Sequence, residues 1–168
     1  MNIAEKVLKE LQELKQHPES ARKDKFYYYQ KAHNGLTITV KYKDIDRYGI
    51  VLDYIAISRQ EPILDVDEIN RRLEQQAEQV QSTITYLLED FMLIEIDKAS
   101  KRAQLRSYPP YEKENSKFFY EIVLEEGTRV HFQRYEYNKA HRRYEKITSQ
   151  VTQEIFLRLL NDLMDLVK

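Results

Sequence analysis

Leu36-Thr37-Ile38-Thr39-Val40-Lys41-Tyr42-Lys43 alternates apolar and polar residues without a break. Successive side chains of a strand point to opposite faces, so this stretch reads as a strand with one buried and one wet face. Asn34-Gly35 stands just before it, the pair favoured in two-residue hairpin turns. Upstream, the aromatic-rich Lys25-Phe26-Tyr27-Tyr28-Tyr29-Gln30 supplies the partner arm. Downstream, Asp44 to Asp46 makes a turn. Tyr48 to Ser58 is then apolar on both parities at Ile50, Val51, Leu52, Ile55 and Ile57. A strand of that kind belongs in the middle of a sheet, covered on both faces. An antiparallel meander therefore sets the fold class.

Helical spacing flanks the meander. Ile3, Val7, Leu11 and Leu14 form one stripe, and Pro18 stops the helix near His17. Lys and Glu alternate on its polar face, so the stripe is expected to pack on a core and not on lipid. After Pro62, Asp65 and Glu68 mark a helix start. Val66, Ile69, Leu73, Ala77, Val80, Ile84, Leu87 and Phe91 keep helical spacing, which predicts one helix from about Asp65 to about Glu89. Thr83 and Thr85 are its weak points.

Strand spacing returns at Ile94 and Ile96, with Lys98 to Lys101 as a turn and Arg102 to Ser107 as the returning arm. Pro109 and Pro110 open a polar loop through Ser116. Phe118, Tyr120, Ile122 and Leu124 make a strand face, Glu125 to Thr128 turns, and Val130 and Phe132 continue that face on a strand to about Tyr137. Asn138 to His141 turns again, and Arg142 to Ile147 is a short last strand. Ser149 is placed to cap a final helix with the stripe Val151, Ile155, Leu159 and Leu163.

The expected architecture is one α+β domain over residues 1–168, in the order α-βββ-α-ββ-βββ-α. Helices pack against an antiparallel sheet built from two meander-like units, and no linker divides the chain. Lys25–Lys43 aligns without gaps with Lys117–Tyr135, matching Lys25/Lys117, Phe26/Phe118, Tyr28/Tyr120 and Gly35/Gly127. An even offset keeps each residue on the same face, so Ile38 and Val130 both point inward. The two units are thus a candidate internal duplication. As topology alone, the helix–three-strand–helix–strand order resembles that of small secretion-chaperone folds. No residue is carried across on that basis.

Composition excludes several chemistries. There is no Cys, which removes disulfides, thiolate metal sites and cysteine nucleophiles. The 3 Gly stand alone at Gly35, Gly49 and Gly127, so no glycine-rich phosphate loop forms. Charges arrive at once in Met1-Asn2-Ile3-Ala4-Glu5-Lys6-Val7, and the apolar runs are as short as Phe91 to Ile94. A cytoplasmic protein without membrane association is expected.

Sites with chemical meaning are few. His17, His33, His131 and His141 have no ligand spacing, and the ordinary reading is surface His near turns. A zinc site would need His131 with Glu125 or Glu126, and the pattern does not favour it. Asp65 is read as a helix cap, Asp44 and Asp46 as turn residues, and Glu95 and Asp97 as the wet face of an edge hairpin near Lys101 and Arg102. No Ser lies in a nucleophile motif. The expectation is no catalytic residue, no cofactor and no metal.

The most suggestive stretch is Arg129 to Lys146, with six Lys or Arg against two Glu, interleaved with Phe132, Tyr135, Tyr137 and Tyr144. On the outer parity Arg129, His131, Gln133, Tyr135 and Tyr137 share a face. The candidate partner or nucleic-acid surface is Arg129, His131, Arg134, Tyr135, Tyr137, Arg142 and Arg143. Rings flanked by cations stack bases and hold phosphates. An isoelectric point near 6.5 and the acidic stretch Glu61 to Glu78 speak against nucleic acid. Tyr is also the residue of protein interfaces. The leading expectation is a small non-catalytic interaction or accessory, chaperone-like protein that holds a protein partner or a second copy of itself. A nucleic-acid binder is second. A small-ligand protein or enzyme, with a pocket between sheet and helices, is third.

Overall fold

The computed structural model describes residues 1–168. Three helices, α1 (Ile3–Lys15), α2 (Val66–Thr83) and α3 (Gln153–Val167), accompany ten strands. These are β1 (Tyr27–His33), β2 (Leu36–Ile45), β3 (Gly49–Arg59), β4 (Asp90–Asp97), β5 (Arg102–Tyr108), β6 (Tyr111–Lys113), β7 (Ser116–Glu125), β8 (Arg129–Asn138), β9 (Arg143–Ile147) and β10 (Ser149–Thr152). The fold is α+β, with the expected order of helices and strand groups. All pairing is antiparallel, along the path β1-β2-β3-β8-β7-β5-β4. No helix is long and apolar enough to cross a membrane.

The sheet is covered by helices on one face. One buried cluster of 36 residues joins Val7 and Leu11 of α1, Leu73 and Val80 of α2, and Phe156, Leu159 and Leu163 of α3. The strands add their inward set: Ile38, Val40 and Tyr42 of β2, Ile55 and Ile57 of β3, Ile122 and Leu124 of β7, and Val130 and Phe132 of β8. Removing these apolar side chains from water is the main force holding the layers together. Tyr42 is fully buried because its hydroxyl finds the Leu11 carbonyl at 2.8 Å. Phe119 and Val123 are also buried, yet they belong to no part of this cluster. They stand on the opposite, helix-free face.

The sheet forks between β3 and β8. The two strands pair from Ser58–Arg129 to Tyr54–Gln133 and then part. Ile147 of β9 sits opposite Arg134 of β8, while Ser149 of β10 sits opposite Leu52 of β3. Only Thr148 separates the two short strands, so the chain enters the fork along β8 and leaves along β3. Gly49 permits this: a Cβ there would collide with the Val151 carbonyl.

Several expectations are corrected. The second helix ends at Thr83, not near Glu89. Thr83 bonds back to the Gln79 carbonyl at 2.7 Å, and the β-branched Thr83-Ile84-Thr85 run does not propagate the helix. Ile84, Leu87 and Phe91 still reach the core from a loop and a strand, which mimics helical spacing. Ser149 does not cap the last helix. Thr152 does, accepting from the Ile155 amide at 3.1 Å, and Val151 is a strand residue. The Pro109–Ser116 loop contains β6, which pairs with the start of β7.

The gapless alignment of the two hairpins holds for only one arm. Ile38 and Val130 both face the core, as expected. The first hairpin closes through two residues, Asn34 and Gly35, between His33 and Leu36. The second needs three, Glu126 to Thr128, between Glu125 and Arg129. One extra residue inverts the faces of the first arm. Tyr28 therefore lies on the helix-free face beside Lys41, whereas Tyr120 is buried against Phe132.

Candidate functional site

Strand parity divides the candidate residues. Arg129, His131, Tyr135 and Tyr137 share the helix-free face of β8, together with Gln133. Arg134 points the other way. Its guanidinium lies 4.2 Å from the Tyr120 ring centre and 3.2 Å from a Glu89 carboxylate oxygen, with both charged side chains largely buried. It is a structural ion pair beneath the sheet and does not join the other six. Arg142 and Arg143 are exposed at the β8–β9 turn and the start of β9.

The middle of the helix-free face is charged but balanced. Arg129 lies within 3.3 Å of Glu125 and 3.7 Å of Glu126. Along the same row, Glu125 faces Arg102, and Arg102 faces Asp97. One row over, Lys41 pairs with Asp53 at 3.1 Å, Gln133 donates to Asp53 at 2.7 Å, and Arg106 pairs with Glu121 at 3.4 Å. Sign alternates across the strands, so no continuous positive track forms here. His131 stacks on Tyr54 with ring centres 5.1 Å apart. Burial, and then the nearby Lys146, hold its pKa below the usual histidine value.

His33 departs from the surface reading. It is buried, and its Nε2 lies 2.9 Å from the Tyr29 hydroxyl, which also reaches Glu10 of α1 at 3.1 Å. Lys31 pairs with the same Glu10. This network ties α1 to the edge strand β1. Burial works to raise the Glu10 pKa, but the hydrogen bonds from Lys31 and Tyr29 hold it below the usual carboxylate value. Asp65 and Asp46 behave as read from the sequence, whereas Asp44 lies within β2 and pairs with Lys15 of α1 at 2.6 Å, and Asp97 closes the β4–β5 turn. Asp65 accepts from the Asp67 amide, Asp46 accepts from Tyr48 and Gly49, and Asp97 accepts from Ala99 and Ser100.

Aromatic residues gather at two places on the helix-free face. At the first, Tyr28 lies between Arg22 (4.3 Å) and Lys41 (5.2 Å), and its hydroxyl donates to Asp24 at 2.6 Å. The ring and the hydroxyl of Tyr28 are thus both engaged. At the second, Phe119 is flanked by Tyr135 (5.7 Å) and by the Arg106 guanidinium (4.4 Å), and Tyr144 meets it edge-on at 6.1 Å. Tyr137 and Tyr144 lie 4.6 Å apart. These residues floor a groove of about 520 Å³, with Ile94 of the edge strand β4 on one rim and Tyr108, Pro109 and Pro110 on another. The hydroxyls of Tyr108, Tyr137 and Tyr144 are engaged by no group of the chain, unlike those of Tyr29, Tyr42 and Tyr86.

The sequence reading named Tyr135 and Tyr137 but not Arg106, Phe119, Tyr108 or Ile94. Two signals point to them in retrospect. Tyr108-Pro109-Pro110-Tyr111 is an aromatic–proline run, and Met92-Leu93-Ile94 places apolar residues on both parities of an edge strand. No protein-family model and no curated protein matches the chain. Among solved structures, the crystal structure of WHY1 from Arabidopsis thaliana is 12% identical over 84% of this chain and 83% of that chain, with a TM-score of 0.19. Agreement at that level carries no statement about fold or function.

Proposed function

We propose that this protein is a non-catalytic interaction module that holds a protein partner at the aromatic end of its sheet. One observation supports the reading above others. Of the eleven large hydrophobic side chains exposed on the molecule, four lie on the helix-free face at that end, Met92, Ile94, Tyr108 and Tyr144, while Leu88 and Tyr111 line an adjoining hollow on the helix side behind Pro109 and Pro110. Leu88 is 99% exposed and has a left-handed backbone (φ 66°), a conformation that costs a leucine about 1–2 kcal/mol. Exposed apolar clusters rimmed by polar residues mark interaction surfaces. A cytoplasmic setting is part of the same reading, and a second copy of the chain is its homotypic form.

A photo-crosslinking residue at Ile94 on the groove rim, with Leu64 as control, tests it. Leu64 is equally bare at 87% exposure, but it precedes the other end of α2. Protein adducts at position 94 and not at 64, in lysate or between copies, are the expected result. Equal labelling at both sites, in a chain that light scattering shows to be a strict monomer, would overturn the reading.

A single-stranded nucleic acid is the second reading. It is favoured by Arg142, Arg143 and Lys146, which form no ion pair and lie near Tyr137 and Tyr144. It predicts retention on an oligonucleotide column that weakens steeply with salt.

A further inference from the structure

The cleft at the aromatic end has a chemistry more specific than an apolar patch. We propose that it takes a proline-rich segment of the partner, in extended polyproline conformation, with acidic residues on its flank. The inference rests on the partner-binding reading above and narrows it to one class of ligand.

A polyproline helix makes no internal hydrogen bonds, so its carbonyls face outward and need donors. Its rings present flat apolar faces that seat between aromatic ridges. The groove offers both. Tyr137 and Tyr144 meet at 37°, and Tyr144 meets Phe119 at 77°, so the floor is ridged and not flat. The free hydroxyls of Tyr108, Tyr137 and Tyr144 supply donors around it.

Two alternatives fit less well. Adding a partner strand to β4 requires a regular edge, and the β4–β5 register breaks between Leu93 and Glu95. Stacking bases requires open ring faces. Tyr135 and Arg106 already occupy the two sides of Phe119, and Tyr137 packs on Tyr144. Phosphates, in turn, would meet alternating signs across the sheet.

Charge sets the flank. Glu112 on the groove wall is shared by Lys117 (3.7 Å) and Lys139 (3.3 Å). Arg106 is committed to Glu121 and to two rings. Past Tyr144, Lys146 shares its face opposite Tyr135 and Arg142 is exposed at the turn, neither in an ion pair, while Arg143 turns to the other face with Glu145 and Glu136. That mouth is positive, and an acidic flank complements it.

Calorimetric titration of the full chain tests the proposal with four probes. They are a peptide of about ten prolines with a glutamate flank, the same prolines with a lysine flank, a Gly-Ser peptide with the glutamate flank, and oligo-dT. The glutamate–proline peptide should bind at least about tenfold more tightly than the Gly-Ser peptide. Tyr144→Ala should weaken it by a similar factor, Leu64→Ser should leave it unchanged, and thermal melts should confirm that both variants are folded. The double variant Arg142→Glu, Lys146→Glu should abolish the preference for the glutamate flank over the lysine flank. Equal binding of the proline and Gly-Ser peptides, or of neither, overturns the proposal. If adducts at position 94 persist in that case, the partner reading stands without it. Binding of oligo-dT in place of both peptides overturns the two together.

Discussion

The two aromatic clusters of the helix-free face are built from similar residues and end in opposite states. At the β1–β2 end, Tyr28 is held between Arg22 and Lys41, and Asp24 takes its hydroxyl. Cations, rings and acids satisfy one another. At the β7–β9 end, Arg106 and Phe119 form a similar stack, but Tyr108, Tyr137 and Tyr144 add hydroxyls that nothing in the chain engages. The difference traces to chain path. The first meander continues into β3, a full central strand, whereas the second continues into the short, exposed β9. Residue type alone therefore does not mark a working surface. What marks it is a cluster whose neighbours leave it unfinished.

The sharpest break of this comparison is in the shared core. Phe132 is fully buried and stacks on Tyr120 at 5.3 Å. Phe132→Ala should cost about 3–5 kcal/mol by denaturant titration and loosen both ends together. A loss below about 1 kcal/mol would mean that the ends do not share this core. Next comes the buried pair beneath the open cluster. Arg134→Ala strands the Glu89 carboxylate and should cost about 3 kcal/mol. The double change Arg134→Met, Glu89→Gln should recover much of that loss, which a double-mutant cycle reads directly.

The hairpin turns give a smaller, paired test. Gly35 (φ 82°) has open space where a Cβ would go, so Gly35→Ala should cost only the backbone term, about 1–2 kcal/mol. A Cβ at Gly127 (φ 71°) would stand 3.0 Å from Cδ of Arg72, whose Nε donates to the Gly127 carbonyl at 2.7 Å. Gly127→Ala should therefore be the more damaging of the two. Equal losses would show that the Arg72 contact contributes nothing. At the smallest scale, Tyr28→Ala should cost about 1 kcal/mol through its cation and carboxylate partners. Tyr144→Ala should stay within about 0.5 kcal/mol.

Acid gives an independent check. Burial holds His131 and His33 below the usual histidine pKa, so the folded chain resists their protonation. The unfolded chain binds those protons first as pH falls through about 6.5. Stability should accordingly drop from pH 7.5 toward pH 5.5, and His131→Gln should flatten part of that slope. An unchanged denaturation midpoint over this window would rule out both histidines as contributors.

Much of this fold was legible in local pattern. The Leu36–Tyr42 alternation, the Asn34-Gly35 turn and the stripes of the first and last helices each depend on neighbours within a turn or two. The misreadings came from distant constraints. Ile84, Leu87 and Phe91 keep facing the core after the helix has ended, because the loop and β4 stay under the same layer. Val151 is apolar for a helix or a strand alike, and only Ile50, a hundred residues earlier, decides which. Arg134 was grouped with the surface cations because its partner, Glu89, lies 45 positions away in the chain. The open groove draws on β4, β5, β7, β8 and β9 at once, a convergence that no window of sequence contains.

The fork between β3 and β8 carries a kinetic consequence. β10 pairs with β3 across about a hundred positions of chain, and β3 finds β8 across nearly eighty. The β1–β2 and β7–β8 hairpins close over a few residues each. Loop-closure entropy makes the distant pairings slow. The two hairpins should form early and independently, and β10 with α3 should dock last, once β3 and β8 have set the fork. Pulsed hydrogen exchange during refolding would then show the Tyr29 and Val123 amides protected before the Val151 amide.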